Sequence, residues 1–132
     1  YGAVQDRSDL RDKADIRDTT LGLNFIGSLR SVEFRWDYRE DYVETTIDAD
    51  GNVITAPIPK DGSKKRGRFH QGLIAQEVKQ TMDELGVDFG GYQDHSINGG
   101  EDVKSIGYVE LIGPMIKAIQ ELKARVEELE VS

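Results

Sequence analysis

Few residues in this 132-residue chain have the types and spacings that do chemistry. His70 and His95 stand far apart, and the absence of cysteine excludes disulfides and thiolate metal sites. No zinc-type cluster, P-loop or dinucleotide-binding glycine fingerprint is present. Asp48-Ala49-Asp50-Gly51-Asn52 has the acidic spacing that opens a calcium loop. Its twelfth position is Pro59, however, where a bidentate glutamate is required, so the run reads as a turn. Lys64-Lys65-Arg66 could touch phosphate but reads better as a solvated limb opposite acidic residues. There remains Ser8-Asp9-Leu10-Arg11-Asp12-Lys13, which holds a hydroxyl and an amine in one crowded charged run. A serine hydroxyl needs a nearby base. Lysine, at an ordinary pKa of about 10.4, serves only where desolvation or neighbours lower that value. Five positions of separation put the two side chains on different faces of a helix and opposite faces of a strand. They can meet only through a bend or between subunits, and the spacing alone does not establish catalysis.

Bulk properties narrow the classes. Hydrophobic residues make up 37% and charged residues 32%, polar for a compact monomer. Either segments stand out in solvent or partner subunits complete the core. The formal charge of −8 argues against a nucleic-acid partner, because phosphate binding needs positive surface. No apolar run approaches the ~20 residues of a membrane span, and no signal peptide is visible. No cofactor and no metal site are expected. The chain starts at Tyr1, which reads as a piece cut from something longer.

The positioning elements follow from periodicity. Leu21, Phe25 and Leu29 predict a short helix capped by Thr19 or Thr20, weakened by Gly22 and Gly27. Val32, Phe34 and Trp36 alternate with polar residues, which predicts a half-buried strand with those three inward. Residues 37–69 read as a hairpin or long arm turning at Asp48–Asn52. Its acidic first limb and basic second limb (Lys60, Lys64, Lys65, Arg66, Arg68) predict opposite-charge pairs across the strands. Gly72 to Leu85 predicts a helix presenting Ile74, Val78, Met82 (or Thr81) and Leu85, stopped by Gly86. Residues 86–102 read as loop, with Gly90-Gly91 and Asn98-Gly99-Gly100 as breakers, and Val103–Ile106 as a short strand. Ile112, Met115, Ile119, Leu122, Val126 and Leu129 step 3-4-3-4-3 over three heptads, with Pro114 in the tolerant first turn. This seam needs a partner helix, or else packs on its own domain. Leu111 and Ile116 lie off it and are expected to face the body. The expected class is α+β: a small mixed body with a short sheet, a projecting arm and a long C-terminal helix.

Ser8-Asp9-Leu10-Arg11-Asp12-Lys13 resembles the Ser-Asp-x-Arg-x-Lys cleavage motif of the endosialidase-type intramolecular chaperones. These domains close phage tailspikes, tail fibres and neck appendages, and a related version occurs in the myelin regulatory factor proteins. Leu21-Gly22-Leu23-Asn24-Phe25-Ile26-Gly27-Ser28-Leu29-Arg30-Ser31-Val32-Glu33-Phe34-Arg35-Trp36 is similar to a second block of that family. His70-Gln71-Gly72-Leu73-Ile74-Ala75-Gln76-Glu77-Val78 resembles its most recognisable block, and Ile119-Gln120-Glu121-Leu122-Lys123 its closing helix. The resemblance runs from Ser8 to about Leu129. Asp12 departs from the usual leucine, and residues 88–100 are longer and richer in glycine than the family leads one to expect.

The resemblance implies that Ser8 is a nucleophile and Lys13 its general base, cutting Arg7–Ser8 once. It divides the chain into 1–7, the end of an upstream fibre segment, and 8–132, the chaperone and autopeptidase. Within the latter, 37–69 is the arm and 108–130 the oligomerisation helix. It further implies a homotrimer acting on the upstream fibre of its own precursor in the host cytoplasm during virion assembly, then released. The heptad does not itself predict three strands, since Ile and Val at a with Leu at d lean toward two. His70 matches the family's histidine, placed near the cleavage region or serving as a packing residue. Asp9 and Arg11 are expected to pair and shape the loop. An inert trimerisation module is the alternative; a membrane-bound transcription-factor precursor finds little support.

Overall fold

The computed structural model describes residues 6–96 and 100–131, so Asn98 and Gly99 lie outside the described residues. In chain order it comprises α1 (Leu23–Gly27), β1 (Val32–Phe34), β2 (Val43–Ile47), β3 (Val53–Pro57), β4 (His70–Gly72), α2 (Ala75–Leu85), β5 (Tyr92–Asp94), β6 (Lys104–Ile106) and α3 (Ile112–Glu130). Short 3₁₀ turns occupy Leu10–Asp12, Arg39–Asp41 and Tyr108–Leu111. The strands pair antiparallel as β1–β4, β2–β3 and β5–β6, in three separate two-stranded sheets. The fold is mixed α+β.

Such small sheets cannot enclose a core by themselves. The core is instead built by Phe25 of α1, Val78 and Met82 of α2, Phe89 after it, and Leu111 at the entry to α3. The Phe25 and Phe89 rings lie 5.3 Å apart. The spacing of Leu21, Phe25 and Leu29 selects the correct face of α1, but the helix is shorter than expected and no threonine caps it. Gly22 is the N-cap, Thr19 Oγ1 accepts from Leu21 N at 3.2 Å, and Leu23 N donates to Glu121 Oε1 of α3 at 3.2 Å. A carboxylate delivered by packing satisfies an orphan N–H at the positive end of the helix. A Cβ at Gly22 would collide with that carboxylate.

β1 ends at Phe34, so Trp36 lies beyond the strand and is 42% exposed rather than inward. Its ring stacks on Tyr38 at 5.0 Å and meets the Phe34 edge at 4.8 Å. The returning chain accounts for the break: Arg66 N donates to Trp36 O at 2.7 Å, outside any ladder. The predicted start of α2 at Gly72 is also corrected, because His70–Gly72 pairs with Val32–Phe34 as β4. The helix ends as expected. Gly86 takes φ 65°, and Val87 N donates back to Met82 O at 2.9 Å. Within the expected loop, β5 forms and pairs with β6 in the register Tyr92↔Ile106.

Residues 43–57 form the expected hairpin, with every residue of both strands exposed. Asp48 Oδ1 accepts from Asp50 N and Asn52 N, so this acidic run is a turn. Opposite charges do not face each other across the ladder, whose register is Val43↔Pro57, Glu44↔Ala56, Thr45↔Thr55, Thr46↔Ile54 and Ile47↔Val53. They pair at the arm's base, Asp37 with Lys60 at 3.6 Å and Asp41 with Arg66 at 3.0 Å. Buried Tyr42 anchors that base by donating to Asp37 Oδ1 at 2.5 Å and accepting from Lys64 N at 3.1 Å.

Leu111, which closes the preceding 3₁₀ turn, and Pro114 and Ala118 of α3 are buried on the body. Ile116, expected there, is 51% exposed. One turn beyond Leu111, position 114 or 115 faces the same way and position 116 is rotated off. All six seam residues are exposed.

Candidate active site

Asp9 organises the amino-terminal segment. Its carboxylate accepts from Arg11 N at 2.9 Å and from the Arg11 guanidinium at 3.1 and 2.8 Å, while its carbonyl accepts from Asp12 N at 3.0 Å. These bonds hold the Asp9 carboxyl below the ordinary aspartate range, and the Arg11 guanidinium correspondingly higher. They wind Leu10–Asp12 into a 3₁₀ turn closed by Lys13 N donating to Leu10 O at 3.2 Å. The turn supplies the bend that the spacing of Ser8 and Lys13 requires. Lys13 Nζ lies 2.8 Å from Ser8 Oγ. Asp12, at the departure from the family pattern, approaches Arg7 at 3.8 Å.

The pair is open to water, as are all residues from 6 to 18 except the half-buried Asp9. The hydrogen bonds and ion pairs of residues 7–13 among the described residues are internal to that segment. An amine can take a hydroxyl proton only when it is itself unprotonated, a form that burial away from water favours.

His70 sits on β4 opposite Phe34, with its ring 6.0 Å from Phe34 and 6.3 Å from Trp36. The strand it belongs to is pinned by Tyr108, whose hydroxyl accepts from Leu73 N at 3.0 Å. A Cβ at Gly72 would press on that hydroxyl at 2.7 Å, so glycine there permits the close approach. His95 bonds Ser105 across β5–β6 at 2.9 Å. Among the described residues, no group of three or more His, Asp or Glu is placed to hold a metal ion, and no helix is long and apolar enough to cross a membrane. Glu121 and Tyr108 escaped sequence reasoning because their partners are remote in sequence; a glutamate and a tyrosine in such contexts carry no local signal.

Comparison with known families gives a match over residues 8–87 to Peptidase_S74, described as the chaperone of endosialidase. The match opens at Ser8 and takes in the blocks at 21–36 and 70–78, while the block at 119–123 lies past its end. No curated protein matches the chain. The residues matched cover more than half of the sequence, and the chain accordingly belongs to the chaperone of endosialidase family, whose members are intramolecular chaperones that cleave themselves as serine peptidases.

Proposed function

We propose that this chain trimerises, assists the folding of an upstream triple-stranded β-fibre or β-helix in a phage tailspike, fibre or neck-appendage precursor, and then releases itself at Arg7–Ser8. The observation that carries the reading is the 2.8 Å approach of Lys13 Nζ to Ser8 Oγ across a turn held by Asp9. In the cleavage step a neutral Lys13 amine takes the Ser8 Oγ proton as Oγ attacks the Arg7 carbonyl carbon. The Arg7–Ser8 C–N bond breaks, the Ser8 nitrogen accepts the proton from Lys13, and water hydrolyses the resulting Arg7 ester. The His70 environment supports a packing role for that residue, leaving Ser8 and Lys13 as the chemical pair.

Timing follows from exposure. The solvated pair of a single protomer is off, and burial against the assembled fibre strips water from Lys13 and switches it on. The exposed seam of α3 supports assembly. So does an apolar groove of about 390 Å³ that reaches the seam at Met115 and is walled by Ile26, Leu29, Leu73, Tyr108 and Leu111. The alternative, an inert trimerisation module, draws on Asp12 and on the exposure of the pair.

Denaturing gels of the longer precursor separate the two readings. The parent should give two fragments, and Ser8→Ala and Lys13→Ala one band each. An intact parent whose upstream segment is folded would sink the peptidase reading.

A further inference from the structure

Two contacts close the amino-terminal turn side by side. Lys13 Nζ meets Ser8 Oγ at 2.8 Å, and one position back on each limb Asp12 Oδ2 approaches Arg7 Nε at 3.8 Å. The bend that brings an amine to the hydroxyl thus also brings a carboxylate to the residue that precedes it. The charges of residues 7–13 sort into pairs. Asp9 takes Arg11 at 2.8 Å, Asp12 takes Arg7, and Lys13 is left with Ser8 Oγ and no ion pair among the described residues. The flanking Asp6, Asp15, Arg17 and Asp18 make no ion pair with it there either. Asp12 adjoins Lys13 in the chain and stands where the family pattern has leucine. A carboxylate near an amine favours the amine's charged form. Left unmatched, Asp12 would oppose the loss of the proton that a general base must first give up.

Resting on the peptidase reading above, we infer that Arg7 and Asp12 are positioning residues for the cleavage. Arg7 neutralises Asp12, so that Lys13 can lose its proton, and Asp12 in return holds the Arg7 side chain against the turn. A cationic residue before Ser8 becomes a specificity requirement of this chain. With side chains 82% and 51% exposed, the pair contributes little while water surrounds it. Its effect grows with burial, because an uncompensated carboxylate acts more strongly as the local dielectric falls. The same burial that strips water from Lys13 makes the match between Arg7 and Asp12 matter. An uncharged side chain at position 12 would remove the need for it.

The test uses the full precursor, refolded from denaturant over a range of pH and followed on denaturing gels. Cleaved product is normalised to the protease-resistant assembly formed by the matching chain that also carries Ser8→Ala. A variant that misfolds is then not read as one that cannot cut. Arg7→Ala should move the pH of half-maximal cleavage up by about one unit, the lower end of what a nearby opposite charge does to an ionisable group. Below that midpoint the reaction slows about tenfold. Arg7→Lys, which keeps the charge, should leave the midpoint near the parent's, and adding Asp12→Leu to Arg7→Ala should bring it back. A midpoint unmoved by Arg7→Ala, or a shift that persists when Asp12→Leu accompanies it, would overturn the compensation and leave the peptidase reading standing. A parent that assembles and stays intact at every pH sinks the peptidase reading, and the compensation with it.

Discussion

Replacing Ile119 by alanine should weaken self-association while leaving the protomer's own stability almost untouched. The change deletes three carbons, worth about 2.4 kcal/mol when fully buried at ~0.8 kcal/mol per methylene. Ile119 is 63% exposed in the single protomer. Roughly 1.5 kcal/mol of that burial is therefore available only on association. If three seams meet, the loss is about 4.5 kcal/mol per trimer, on the order of a thousandfold in the association constant. The protomer should shift by no more than about 0.5 kcal/mol, since alanine is the better helix former and the position is exposed. Sedimentation equilibrium over a concentration series measures the first quantity, and urea unfolding of dilute protomer the second. Ala118 supplies the contrast. It is 4% exposed against the body, so Ala118→Leu should cost roughly 1–3 kcal/mol of folding stability through overpacking. An unchanged association constant for Ile119→Ala, or a protomer destabilised as much as the assembly, would refute the assignment of that face to a partner.

Two other substitutions probe the body. Gly86 closes α2 at φ 65°, and a Cβ there meets nothing, so Gly86→Ala isolates the backbone penalty. A loss of about 1 kcal/mol is expected, lowering Tm by roughly 3–5 °C, with Gly86→Asn losing less; calorimetry decides. Arg30 grips Glu77 through two bonds of 2.8 and 2.7 Å, tying the approach to β1 onto α2. The hydrogen bonds from Arg30 hold the Glu77 carboxyl below the ordinary glutamate range. A depressed acid stabilises the fold above its unfolded pKa and loses that contribution as pH falls through the folded value. The stability gap between the parent and Glu77→Gln should accordingly be full at neutral pH and close in acid, which chemical denaturation at several pH values would reveal. A gap independent of pH would rule out the charge contribution.

Much of the local architecture is written in short-range patterns. The amphipathic spacing of Val78 and Met82, the stop at Gly86, the Asp48–Asn52 turn and the long stripe of α3 follow from the helical and strand repeats and from turn chemistry. The Ser-Asp-x-Arg-x-Lys run was likewise legible as a motif, because its residues are neighbours in sequence. The errors lie where a contact crosses the chain. Glu121 replaces the threonine cap of α1, and β5 arises inside an expected loop because β6 supplies its ladder. The charged limbs meet at Asp37–Lys60 and Asp41–Arg66, beside Tyr42, instead of along the strands.

By itself the sequence determined which residues repeat with which period and which chemical groups are at hand, since both depend on the order of residues alone. Only the tertiary structure decided that a 3₁₀ turn carries Lys13 to Ser8 and Asp12 to Arg7, and that α3 offers the body Ala118 and solvent Ile119. Each of these is a direction in space. It is set by how bends and ladders orient neighbouring backbone, and no one-dimensional pattern records it.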